Sequence, residues 1–203
     1  ENRLVFISRQ LVDAAQKRVI AVIPGIYHSP VPAEPHSFIQ YYDTVRGGSV
    51  YHRYPYEAFS AEPGRFDVRI GPNRLSRDGL TLDLDHDGQR ITGSVRLGGG
   101  MGWPVRLFSP GVMGPLAFLP GLECCHGVLS FDCALAGSLN IDGVSLPLDG
   151  GRAYLEKDWG RSFPRGWVWM QTNHFERAGT SLVLSVARVP WMGAAFRVFF
   201  AGL

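Results

Sequence analysis

The stretch Thr81 to Leu97, TLDLDHDGQRITGSVRL, decides the fold class. Thr81 to Leu84 and Gln89 to Leu97 are both short runs with the residue pattern of β-strands. Asp87-Gly88 lies between them, and this dipeptide favours the tight turn of a β-hairpin. The stretch therefore predicts two antiparallel strands joined by a turn.

The same pattern extends along the chain in both directions. Phe66, Val68 and Ile70 alternate with Asp67 and Arg69, which is the period of a half-buried strand. Only Arg9 to Lys17 could wind into two helical turns, and a hairpin turn fits that segment equally well. The 25 Gly, 14 Pro and 12% aromatic residues suit short strands joined by many turns. We therefore predict an all-β fold. Other predicted strands are Arg18–Ile23, Ser37–Thr44, Ser49–Tyr54, Trp167–Phe175 and Ser181–Val189.

A long loop rich in Gly and Pro divides the predicted strands into two groups. It runs from Gly98 to Leu122 and contains no strand pattern of its own. We expect a first β-barrel-like or sandwich-like unit over residues 1–110 and a second over residues 111–203. The chain starts at Glu1 and stops inside the hydrophobic run Phe196–Leu203, so we expect a piece of a longer protein with the second unit incomplete.

Composition narrows the class of partner and the compartment. The net charge of +2 is spread without basic clusters, so nothing indicates nucleic acid. Three Cys are too few for a disulfide framework, and an odd number fits a reducing compartment. We expect a cytoplasmic protein, with peripheral contact with a membrane left open, and its oligomeric state is not determined by the sequence.

Two clusters resemble metal sites but lack an essential feature. Asp83 to Gly88 copies the start of a calcium loop, yet the twelfth position is Ser94 where a bidentate Glu is required. Cys124, Cys125, His126 and Cys133 resemble zinc ligands, but adjacent Cys on a strand point to opposite faces. We therefore expect neither a metal nor another cofactor.

The segment from Tyr154 to Phe175 has the pattern of a ligand pocket. On a strand, Tyr154, Glu156 and Asp158 share one face, while Leu155 and Lys157 lie on the other. Downstream, two Trp share a predicted face with two amides, which is typical of an aromatic pocket with a few polar groups. The alternative is an exposed carboxylate pair with aromatic packing behind it. The residues predicted to share that downstream face are Trp167, Trp169, Gln171, Asn173 and Phe175.

The same segment resembles the signature of the tocopherol cyclase family. The matching pattern is GRAYLEKDWGxxFPxxWxWxQxN, from Gly151 to Asn173. A more distant resemblance links the chain to carotenoid hydratases, whose fold looks like two lipocalin-like β-barrels. Further segments that match the family are Ile23–Ile26, Ser37–Gln40, Ser109–Pro115 and Glu123–Gly127.

This resemblance implies a reaction that begins with protonation of an isoprenoid double bond. Glu156 is the first choice as proton donor, where the hydratases carry Asp, and Asp158 is the second. His126 corresponds to a His of the hydratases, and Tyr154 is a further catalytic candidate. A hydrophobic small molecule is the expected substrate, and a lipocalin-like carrier that binds an isoprenoid unchanged is the alternative. The expected substrate-binding residues are Trp159, Trp167, Trp169, Gln171 and Asn173.

Removal of metal ions should leave the protein unchanged. Treatment with a chelator should alter neither the circular dichroism spectrum nor any activity, because no complete ligand set is predicted. Elemental analysis of the untreated protein provides the check. A zinc ion bound tightly to Cys124, Cys125 or Cys133 would contradict the prediction.

Overall fold

The computed structural model describes residues 3–32, 34–86, 88–177 and 179–203. Within these ranges the chain forms fifteen β-strands and two 3-10 helices, Tyr56–Ala58 and Gly114–Phe118, and neither helix is long enough to cross a membrane. The all-β prediction is confirmed. The strands are β1 Arg3–Val12, β2 Val19–His28, β3 His36–Asp43, β4 Gly48–Tyr54, β5 Phe59–Ala61, β6 Asp67–Ile70, β7 Asn73–Ser76, β8 Gly79–His86, β9 Gln89–Gly98, β10 Cys124–Ile141, β11 Val144–Pro147, β12 Arg152–Gly160, β13 Trp167–Thr172, β14 Leu182–Trp191 and β15 Ala194–Gly202.

Twelve strands form one large antiparallel sheet. Its order is β4-β3-β2-β1-β12-β10-β9-β8-β7-β6-β5, with β11 paired to β10. The remaining strands form a second sheet in the order β13-β14-β15. The large sheet takes strands from both sides of residue 110, and the division into units at 1–110 and 111–203 stays a prediction.

Turns close most neighbouring strands. His86 pairs with Gln89 across the predicted hairpin, and Gly88 adopts a φ of 75°, although Asp87 lies outside the described residues. The segment Arg9 to Lys17 forms the end of β1 and the hairpin turn that follows it, not a helix. There the Asp13 carboxylate accepts hydrogen bonds from the backbone N–H groups of Lys17 and Arg18, which closes the turn.

The large sheet curls around the main hydrophobic core. One side of its strands supplies apolar side chains that are almost completely buried, and Tyr54 on β4 accepts a 3.1 Å hydrogen bond from Asn73 on β7. That bond joins strands from distant positions in the sheet order. A second, smaller core lies between the two sheets. It contains Val112, Val128, Phe131, Tyr154 and Val183.

The segment that resembles the start of a calcium-binding loop begins within strand β8. Asp83 and Asp85 form ion pairs with Arg90 on β9, at 3.0 Å and 2.9 Å. Both carboxylates therefore have a cross-strand partner, as expected for the surface of a hairpin.

Gly25 allows an aromatic ring to lie across strand β2. It pairs with Phe38 on β3, and a Cβ atom at Gly25 would lie 2.2 Å from the Phe38 ring. The ring itself is buried and stacks on Tyr51 with 4.8 Å between centroids. Absence of a side chain at Gly25 therefore creates the space that Phe38 fills.

Replacing Gly25 by Ala should lower the free energy of unfolding by about 1–3 kcal/mol, because the added methyl group displaces the Phe38 ring. Chemical denaturation measures the effect. Gly48→Ala is the matched control, since no atom lies within 4 Å of a Cβ built there. Equal unfolding midpoints for the two variants would contradict this account, and Phe38→Leu should restore part of the loss in Gly25→Ala.

Candidate active site

Strand β12 presents its side chains alternately to the main core and to the second sheet. Leu155 lies in the main core, whereas Tyr154 packs in the smaller core between the sheets. Glu156 and Asp158 line a cavity on that same side. The structure thus brings together the carboxylates that the sequence predicts to share a face.

The cavity lies between the large sheet and the three-stranded sheet. Its volume is about 590 Å³. Alternate residues of β1 and β2 form one wall, and the Trp-rich strand β13 with parts of β14 and β15 forms the opposite wall. Most of the lining is apolar or aromatic, as in sites for small hydrophobic ligands. Representative lining residues are Phe6, Ile23, Phe163, Trp167, Trp169, Val198 and Phe200.

Four titratable side chains meet at one end of the cavity. His126 on β10 pairs with Asp158 on β12, and its Nδ1 lies 2.8 Å from the Asp158 Oδ1. His126 Nε2 lies 3.6 Å from Glu156 Oε2, which is too long for a good hydrogen bond. The Tyr154 hydroxyl donates to the same Glu156 oxygen at 3.0 Å. His126 therefore stands between two carboxyl groups.

Aromatic rings enclose this acidic cluster. Phe200 on β15 stacks on the His126 ring, with 5.1 Å between centroids. Trp169 on β13 lies 5.9 Å from the Tyr154 ring, and its buried indole N–H faces Glu156 without completing a hydrogen bond. The rings leave Glu156 only 8% exposed.

Burial gives Glu156 the properties of an acid at neutral pH. Burial is the main cause that raises its pKa to about 7; Asp158 adds to the rise, while His126 and the hydrogen-bonding groups oppose it. For His126, burial alone would lower the pKa, but the hydrogen bond and negative charge of Asp158 raise it above its usual value. Burial and the neighbouring Glu156 also raise the pKa of Tyr154, so its hydroxyl stays protonated. Near neutrality, the Glu156 carboxyl is thus protonated in a large fraction of molecules.

Three predicted binding residues lie away from the cavity lining. Trp159 lies on the opposite face of β12 because side chains alternate along the strand, and the Lys157 ammonium group is 5.2 Å from its ring. Gln171 is not among the residues that line the cavity. Asn173 follows the end of β13 at Thr172, so it no longer shares a face with Trp167 and Trp169.

Asn173 instead joins the second sheet to the large one. Its buried amide donates to the Asp132 carboxylate at 3.2 Å and to the Ala153 carbonyl at 3.2 Å. Asp132 also forms an ion pair with Arg152 on the neighbouring strand. This network anchors the chain directly after β13 and so fixes the position of Trp169 over the cavity.

Several cavity residues were not anticipated from the sequence. Phe200 belongs to the C-terminal hydrophobic run, where Phe196, Val198 and Phe200 alternate in a pattern that indicates one strand face. Gln10 and Gln40 come from the first strands and also line the cavity. Their link to the site depends on strand pairing, which no local pattern reveals.

The cysteines do not converge on one position. Cys124 lines the cavity, and burial raises the pKa of its thiol to about 12. Cys133 lies in the main core, where its thiol donates to Ser130 Oγ. In the described part of the chain, no three His, Cys, Asp or Glu side chains are grouped to hold a metal ion.

A family model described as tocopherol cyclase-like matches residues 86–193. The chain belongs to this family. The matched range includes His126, Glu156, Asp158 and both Trp of β13, and the match confirms the resemblance seen in the sequence. The first strands of the large sheet lie outside the matched range.

The match to an individual relative covers only part of each chain. The chain is 35% identical over 79 residues to a probable chloroplastic tocopherol cyclase of Oryza sativa subsp. japonica, a match that covers 36% of this chain and 16% of that protein. The aligned part therefore spans less than a fifth of the relative's length.

Solved structures show that the fold is shared. Kievitone hydratase from Nectria haematococca matches with a TM-score of 0.57 and 15% identity, over 98% of this chain and 60% of that one. CghA with Sch210972 gives a TM-score of 0.55 and 14% identity, over 98% of this chain and 56% of that one. At these identities the likeness concerns the fold alone.

The contribution of Glu156 to stability should fall as the pH rises from 4.5 to about 7. The folded chain keeps a proton on Glu156 up to a pKa of about 7, whereas the unfolded chain loses it near 4.5. Folding therefore takes up this proton between the two values, and the free energy of unfolding decreases as pH rises through that window. His126 acts in the same direction, because stability from a raised His pKa is also lost as pH rises.

Glu156→Gln removes the pH dependence of stability that the Glu156 proton causes. Denaturation at several pH values should show a flatter profile for the variant, which should gain up to about 3 kcal/mol over the parent chain at about pH 8. The exposed Glu57→Gln is the control and should follow the parent. Parallel profiles for the parent and Glu156→Gln would contradict the assignment.

Proposed function

We propose that the chain is an enzyme that protonates an isoprenoid double bond and thereby promotes cyclisation or hydration of a hydrophobic, prenylated substrate. The observation that carries this proposal is the protonatable Glu156 carboxyl facing an aromatic cavity. An exposed carboxylate pair would favour a carrier that binds without reaction, and Glu156 is not exposed. The tocopherol cyclase-like family to which the chain belongs supports this reaction class.

Glu156 supplies the proton in the first step. An alkene is a very weak base, so the donor must be positioned and bulk water must be kept away. The carboxyl proton moves to one alkene carbon, the π-electron pair forms the new C–H bond, and the other carbon becomes a cation. Tyr154 donates to Oε2 of Glu156 and so holds the carboxyl group in place at the edge of the cavity.

The aromatic wall stabilises the cation that results. Trp167 and Trp169 both line the cavity, and the face of an indole ring attracts positive charge. The effect is stronger in a desolvated site than in water. Phe200 adds a third ring beside His126.

The pair formed by His126 and Asp158 completes the reaction. An oxygen nucleophile, either a hydroxyl of the substrate or water, donates a lone pair to the cation and forms the C–O bond. Its proton moves to Nε2 of His126, which the hydrogen bond to Asp158 orients. Transfer from His126 to Glu156, 3.6 Å away, then restores the acid.

Glu156→Gln is the direct test of this function. The variant keeps the shape of the side chain but loses the acidic proton, so turnover should fall by about 10² to 10⁴-fold while ligand binding changes little. Prenylated quinols and carotenoids are the test substrates, with products identified by mass spectrometry. Asp158→Asn should have a milder effect, because its amide oxygen can still accept a hydrogen bond from His126.

Together, Glu156→Gln and Asp158→Asn also show which group is the proton donor. Normal turnover in Glu156→Gln with an inactive Asp158→Asn would assign the acid to Asp158. Normal turnover in both would exclude both carboxyl groups and direct attention to His126 or Tyr154. Binding of isoprenoids without any product in the parent chain would favour the carrier.

A further inference from the structure

The cavity wall formed by the large sheet has a polar group at each end. Strand pairing places Glu156 beside Ser8 on β1, and Ile23 on β2 beside Gln40 on β3. The β1–β2 register brings Ser8 next to Ile23. One row of side chains therefore crosses four strands from Glu156 to Gln40.

The two ends of this row lie far apart and differ in solvent exposure. Three strand spacings amount to about 14 Å along the sheet. The Glu156 end is buried, whereas at the other end Gln40 is half-buried and Ser49 is exposed. Between them, β1 contributes Ser8 and Gln10, and β2 contributes only the apolar Ala21 and Ile23 to the lining. A ligand that touches both ends is elongated and crosses the apolar side chains of β2.

Neutral hydrogen-bonding groups occupy the open end. The Gln40 amide donates to Ser49 Oγ at 3.3 Å, which leaves the amide oxygen to accept and the Ser49 hydroxyl to donate. Tyr42 pairs with Ser49 and lines the cavity nearby, whereas Gln10 on β1 pairs with Tyr154 and lines the cavity near the Glu156 end. No Lys or Arg stands among the described residues that line the cavity.

We propose that Gln40 and Ser49 form a specificity subsite for an uncharged polar group of the ligand, such as a hydroxyl or carbonyl, about 14 Å along the sheet from Glu156. Placement of the reacting double bond at the Glu156 end rests on the proposed function, whereas the subsite itself concerns binding alone. The ligand is thus an amphiphile with a neutral polar end and an apolar chain.

The charges around the cavity disfavour a phosphorylated ligand. An anionic group inside it would find no Lys or Arg to pair with, and the His126 ring is already paired with Asp158, so its desolvation would be costly. At the buried end the Asp158 carboxylate would also repel it. A neutral hydroxyl has no such penalty, and at Gln40 and Ser49 it finds both an acceptor and a donor.

Ligand binding tests this subsite independently of turnover. Quenching of Trp fluorescence reports occupancy, because Trp167 and Trp169 line the cavity. Three probes are compared in the Glu156→Gln background, where no acid-catalysed product forms: geranylgeraniol, its diphosphate, and a hydrocarbon of the same chain length. Geranylgeraniol should bind more tightly than the diphosphate. Gln40→Leu should weaken geranylgeraniol binding by about three- to tenfold, and leave hydrocarbon binding equal or tighter.

Ser49→Ala provides a second, smaller change at the same subsite and should weaken geranylgeraniol binding in the same direction. Ser94→Ala is the matched control, since Ser94 makes a similar cross-strand bond to Thr81 on β8, away from the cavity. Tighter binding of the diphosphate than of the alcohol would overturn the proposal. Equal effects of Gln40→Leu on alcohol and hydrocarbon would also overturn it, and would indicate that Gln40 only contacts solvent at the mouth. Neither result would bear on the role of Glu156 in turnover.

Discussion

The alternation of side chains along β12 is the constraint on which the site depends. This strand lies between β1 and β10, so its backbone is hydrogen-bonded on both sides. A shift of one residue would move Glu156 into the main core and Leu155 into the cavity. The position of the carboxyl group is therefore fixed by backbone pairing over two neighbouring strands. His126 is placed opposite Asp158 by the same pairing.

Two buried polar clusters involve these strands: in one the polar groups are hydrogen-bonded to each other, and in the other some polar groups lack a hydrogen-bond partner. Asp132, Arg152 and Asn173 satisfy one another through an ion pair and hydrogen bonds, and they hold the sheets together. At the cavity, by contrast, His126 Nε2 and the Trp169 indole N–H are buried without hydrogen-bond partners. Unsatisfied buried groups are usually destabilising, and their concentration around Glu156 is typical of a site shaped for function over stability.

The sequence predicted correctly those features of the site that depend on side-chain alternation within one strand. Glu156 and Asp158 could be assigned to one face by counting, and family resemblance added His126 from a distant segment. The same counting places Trp159 on the other face of β12, away from the cavity lining. Asn173 was expected to continue the face of Trp167 and Trp169, but β13 ends at Thr172, three residues before the predicted end, and the Asn173 amide donates to groups on β10 and β12. Gln40 could not have been found, since its place in the site depends on pairing across three strand boundaries.

The division of the cavity between two sheets has an evolutionary consequence. Glu156, Asp158 and His126 all belong to the large sheet, while Trp167, Trp169 and Phe200 belong to the small one. Substitutions on the small sheet can reshape the volume above the carboxyl group without disturbing the strands that hold it. Such a separation allows descendants of one ancestral gene to diverge in the molecules they accept while they inherit the same acidic cluster.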